Sequence, residues 1–102
     1  MNTYIMDALK QIRSILLSDE VLSIESIDSI TGEFEMMKME IEQHITNMSQ
    51  NEEYKNMRYA AKNAVHKLSK ALDVLEDLHC TNNDEYKELV CEVIDLIDEI
   101  SY

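Results

Sequence analysis

Four carboxylates near the C-terminus, Glu88, Glu92, Asp95 and Glu99, recur at spacings of 4, 3 and 4 and so share one face of a helix. Such a row could hold Mg²⁺, which prefers oxygen ligands and keeps several waters. Helical nucleotide pyrophosphohydrolases use acidic pairs of this kind, but they draw them from two facing helices. Here Glu85-x-x-Glu88 and Glu92-x-x-Asp95 lie on one helix with no basic phosphate cradle beside them. The row therefore reads as a solvated acidic face able to meet a basic partner, and metal binding is the lesser reading.

Other spacings lead to the same kind of answer. Glu76-x-x-His79 has the i, i+3 spacing of helical di-iron sites, which require a second such motif. The nearest candidate, Glu40-x-x-x-His44, is spaced i, i+4. His79 is better placed to serve the exposed carbonyls at a helix C-terminus. Arg58 and His66 stand about 12 Å apart along a helix, too far for concerted acid–base work in one protomer. Ser14, Ser18, Ser23, Ser26 and Ser29 fall in or beside helix ends, where serine commonly caps. No catalytic residue, metal site or cofactor is assigned.

Methionines cluster at Met36, Met37, Met39, Met48 and Met57. Met37 and Met48 fit a core stripe, whereas Met36 and Met39 fall off it. If exposed, they would form an adaptable apolar contact face, with ordinary gap-filling as the plainer reading. Tyr59 also falls off the main stripe of its helix, as a contact aromatic or a packing residue.

The formal net charge of −12 disfavours direct binding to nucleic acid or to an anionic membrane surface, and favours a basic protein partner. Residues 1–50 carry nine acidic and three basic side chains, and residues 81–102 carry seven acidic residues against Lys87. Residues 51–80 carry five of each. Within that neutral third, Lys55, Arg58, Lys62, His66 and Lys70 form a basic stripe. It is expected to flank the same seam as the acidic row on the next helix.

The elements that must position these residues are helices. The chain has 102 residues, no proline and one glycine, which leaves too few turn residues for a sheet protein and no linker between domains. A single all-α domain over residues 1–102 is expected. Apolar spacing predicts a helix over 3–17 with Ile5, Ala8, Leu9, Ile12, Ile15 and Leu16 on one face. After Ser18-Asp19-Glu20, which can cap it, a short or irregular helix is expected over 21–30 with Ile24, Ile27 and Ile30 at intervals of three. A break at Thr31-Gly32 and a third helix over 33–48 carrying Phe34, Met37, Ile41, Ile45 and Met48 are expected next.

A long central helix over about 50–79 follows, opened by a capping box at Ser49–Glu52. Its stripe is Tyr54, Met57, Ala61, Ala64, Val65, Leu68, Ala71, Leu72, Leu75 and Leu78. A last helix from about Asp84 presents Tyr86, Leu89, Val90, Val93, Ile94, Ile97 and Ile100. Short connections make sequential helices antiparallel, so the expected architecture is a bundle of four main helices plus the minor one.

No apolar run approaches the ~20 residues of a membrane span, and residues 1–10 do not form a secretory signal. Cys80 and Cys91 would face different levels of a helical hairpin, so free thiols and a cytoplasmic location are expected. The leading functional reading is a non-enzymatic protein-interaction module, a small acidic inhibitor or adaptor binding a basic protein surface. The acidic face Glu88, Glu92, Asp95 and Glu99 and the apolar residues Met36, Met39 and Tyr59 are its candidate contacts. Self-association as a homodimer or larger helical assembly is the alternative, followed by a metal-dependent helical nucleotide phosphohydrolase. Small acidic helical chains of this type occur among phage-encoded antagonists, bacterial immunity proteins, secretion partners and viral host-interaction proteins, although no motif here links the chain to any of them.

Overall fold

The computed structural model describes residues 3–18, 22–48, 52–79 and 83–100. Helix α1 spans Thr3–Leu17, α2 Ile24–Asn47, α3 Lys55–His79 and α4 Asn83–Asp98, with one 3₁₀ turn at Glu52–Tyr54. Helix α3 is the central element, with α2 packed along one side of it and α4 along the other, while α1 lies against α4. The molecule measures 48 × 20 × 20 Å along its principal axes.

The core follows the expected stripes. Ile5, Leu9, Ile12 and Leu16 of α1, Phe34, Met37 and Ile41 of α2, and Val90, Val93, Ile94 and Ile97 of α4 are all buried. On α3 the centre of the stripe is narrow, since Ala61, Ala64, Leu68, Ala71 and Leu75 are at most 1% exposed. Three alanines there let α2 and α4 approach closely, because interaxial distance is set by the side chains at the contact. Val74, which the spacing did not place on the stripe, is buried as well. No polar or charged side chain is buried among the described residues, so the interior is held by apolar packing.

The expected break at Thr31-Gly32 does not occur. Helix α2 runs unbroken from Ile24 to Asn47, so the short helix and the third helix are one element. Its start is set by Ser23, whose Oγ accepts from the Ser26 N–H at 3.1 Å. Within the helix the Thr31 hydroxyl donates to the Ile27 carbonyl at 2.9 Å, which satisfies the hydroxyl without ending the helix. Gly32 has no positive φ, and a methyl group built on it would meet nothing within 4 Å. A lone glycine costs a helix only about 1 kcal/mol, which burial of Ile27, Ile30 and Phe34 around it outweighs.

Two further contacts tie the outer elements in place. The Tyr86 hydroxyl accepts from the Leu22 N–H at 2.7 Å, joining the entry to α2 to the start of α4. Arg13 of α1 grips Asp98 of α4 with both Nε at 2.7 Å and Nη2 at 3.3 Å. Both partners are near half-exposed, so this pair contributes about 0.2–1 kcal/mol and mainly sets how α1 is placed.

Four expected apolar positions are open instead: Ile15 is 46% exposed, Ile24 59%, Met57 49% and Tyr54 37%. Ile15 lies at the edge of its stripe, and Met57 and Tyr54 lie at the start of α3 and in the turn before it. Asp19 and Glu20, the expected cap at Ser49–Asn51, Cys80, Thr81 and Asn82, and the His79 side chain lie outside the described residues.

Gly32→Ala should raise the free energy of unfolding by about 0.5–1 kcal/mol, because the helical φ is kept and nothing is crowded. Leu68→Ala should lower it by about 2–5 kcal/mol through loss of packing at the centre of the bundle. Urea denaturation followed by circular dichroism measures both.

Candidate protein-interaction surfaces

Glu88, Glu92 and Asp95 are exposed on α4, and Glu99, just past its end, is about half-exposed. At roughly 100° per residue all four fall within about 60° of one another, so the row exists as a single face. Its position is fixed by Glu99, which forms an ion pair with Lys67 of α3. Glu99 is the member of the row that reaches α3, while Glu88, Glu92 and Asp95 lie about 140–180° around α4 from the buried Ile97 and face solvent.

The expected basic counterpart is a different residue. Lys67 is not a member of the Lys55–Arg58–Lys62–His66–Lys70 stripe. At roughly 100° per residue, Arg58 is about 180° around α3 from Lys67, and Lys55 and Lys62 are about 120–140° away. Most of that stripe thus faces away from α4, and only Lys70 falls within about 60° of Lys67. The spacing rule found a basic face correctly but could not tell which edge of α3 would receive α4. That was decided by burial of Val74 and Leu78 on the other flank.

The carboxylates of α4 diverge into solvent along one helix. Among the described residues no three His, Cys, Asp or Glu side chains are gathered as metal ligands would be. Cys91 is a free, exposed thiol on the same helix. No helix among the described residues is long and apolar enough to cross a membrane.

A different surface brings apolar groups together. Met36 and Met39 are 66% and 63% exposed, and Tyr4 at the start of α1, which the spacing analysis did not single out, is 63% exposed. With Glu33, Met37, Glu40 and Gln43 these residues line a groove of about 240 Å³ between α1 and α2. Met36 and Met39 point outward because they sit about 160° and 140° around α2 from the buried Phe34. Tyr4 comes beside them because α1 runs antiparallel to α2, its start level with the C-terminal half of that helix. Sequence spacing identifies the two methionines; Tyr4 joins them only through the fold.

Tyr59 does not belong to this groove. It stands about 180° around α3 from Leu68 and is 77% exposed. The groove is open and falls below the roughly 300–1,000 Å³ typical of small-molecule sites. Its size suits one or two side chains of a partner, and its flexible methionines can adjust to them.

The Lys67–Glu99 pair joins partly exposed groups, so a double-mutant cycle with Lys67→Ala and Glu99→Ala should give a coupling of about 0.2–1 kcal/mol that shrinks with added salt. Compared with protein families, curated proteins and solved structures, the chain matches none.

Proposed function

We propose that this chain is a non-enzymatic protein-binding module, a small acidic inhibitor or adaptor that takes a basic, amphipathic segment of a partner protein in the cytoplasm. The observation that carries this reading is the groove. Tyr4, Met36 and Met39 expose large apolar surfaces from two helices around one depression, with Glu33 and Glu40 among its lining residues. Apolar side chains of the partner would fill the groove, and flanking Lys or Arg residues would meet the two carboxylates.

The net charge of −12 supports the same partner at longer range. An acidic field raises the association rate of a basic protein and repels acidic competitors, without itself supplying much affinity. The α4 row of Glu88, Glu92, Asp95 and Glu99 contributes to that field from a second face. Nucleic acid and anionic lipid are disfavoured as partners by the same charge.

The immobilised protein should retain a basic protein from cells that express it. Retention should fall about tenfold or more in a Met36→Asp/Met39→Asp variant and should weaken as salt is raised. A complex that is indifferent both to this variant and to salt would remove the reading.

A further inference from the structure

We propose that the outward face of α3 binds a short acidic segment of a partner protein, and so is a second surface, opposite in charge to the groove. The sequence sets this helix apart. Residues 54–72 contain no Asp or Glu, although a stretch of that length would carry about four at the average density of 21 in 102. The same stretch holds Lys55, Arg58, Lys62, Lys67 and Lys70, five of the nine Lys and Arg residues. With His66 neutral its formal charge is +5, and the rest of the chain carries −17. Solubility alone does not call for this segregation, since interspersed charges of both signs serve it as well.

The fold turns most of that charge outward. At roughly 100° per residue, Lys55, Tyr59, Lys62, His66 and Lys70 fall within about 80° of one another. This file stands opposite the buried Leu68 and Leu75, and all five side chains are exposed. Lys67 is the exception, held on the α4 side by Glu99. Among the described residues Lys55, Lys62 and Lys70 form no ion pair, in a chain whose acids outnumber its bases by 21 to 9. Tyr59, at 77% exposed, lies between Lys55 and Lys62, about one turn from each.

The ends of the file define the occupant. Lys55 to Lys70 spans about 22 Å along the axis. Glu52 and Glu53 close it before Lys55, and Asp73 and Asp77 continue the same face beyond Lys70. A continuous polyanion such as nucleic acid, or a flat anionic membrane, would meet these carboxylates and the acidic body beyond them. A polypeptide need be acidic only where it crosses the lysines. That is about seven residues if extended, or an acidic face of about four turns if helical. An apolar side chain within the segment would cover Tyr59.

Distance decides between local and net charge. The molecule is 20 Å across, more than twice the ~8 Å Debye length at physiological salt. A segment lying on α3 therefore feels the lysines beneath it, while carboxylates on the far side are largely screened. A second copy of the chain is the poorer occupant, because it brings a body of −12 with its acidic row.

Titration of the isotope-labelled protein with a peptide of about seven residues, Glu around one Tyr, tests the proposal by NMR. Amide shifts should concentrate on residues 55–70. Lys62→Glu/Lys70→Glu should weaken binding about tenfold or more, and Tyr59→Ser should weaken it as well. Lys10→Glu/Lys87→Glu makes the same change in net charge elsewhere and should stay within about twofold of wild type. Absence of shifts on this face at millimolar peptide would overturn the proposal, as would equal losses in the two double-lysine variants. So would tighter binding of an oligonucleotide or of phosphatidylserine vesicles to the same face, or self-association abolished by Lys62→Glu/Lys70→Glu. The proposal does not rest on the groove: Met36→Asp/Met39→Asp should leave peptide binding within about twofold, so either surface can fail alone.

Discussion

The stripe formed by Ala61, Ala64, Leu68, Ala71 and Leu75 is the surface against which both α2 and α4 are packed. Its small residues bring the neighbouring helices close, and its two leucines interlock with them. Burial of apolar surface there has no polar assistance, since no charged or polar side chain is buried among the described residues. The hydrogen bond from Leu22 to Tyr86 and the Arg13–Asp98 and Lys67–Glu99 pairs add orientation at the periphery. Each is worth at most a kcal/mol or so, while each fully buried Leu or Phe contributes about 1.5–3 kcal/mol. Packing on α3 sets the bundle, and the polar contacts select its registration.

Helix length is the second constraint: α2 and α3 have 24 and 25 residues, whereas α1 and α4 have 15 and 16, so the apolar stripes are not equally covered along their length. The groove at Tyr4 forms where α1 begins beside α2, with Met36 and Met39 exposed there. The candidate surface therefore follows from how the helices are placed and depends on no unusual residue.

Much of the fold was legible from spacing alone. Steps of three and four located the four main helices and nearly all of their buried residues, because a helix repeats every 3.6 residues whatever surrounds it. Ser23 was one of five serines in or beside expected helix ends, and spacing did not single it out as the cap of α2. The misreading at Thr31-Gly32 shows where local reasoning ends. Glycine weakens a helix by an amount that a few buried isoleucines easily exceed, so tertiary burial decided whether α2 broke. The candidate surfaces were legible only in part. Met36, Met39 and Tyr59 were recognisable as off-stripe, yet nothing in their spacing showed that Tyr4 would join the first two, or that Tyr59 would stand apart on the far side of α3.

What the sequence determined by itself is the class of the molecule: an all-α, acidic chain whose apolar residues recur with the helical period. These properties depend on residue type and on neighbours within a turn or two, and need no knowledge of which helix meets which. The tertiary structure alone decided which edge of α3 receives α4, and so which lysine meets the acidic row. It also decided where each helix ends relative to its neighbours, and so which apolar residues are covered. Spacing gives a direction around one helix axis. Contact requires the relative level and rotation of two axes, and packing of the whole bundle fixes those.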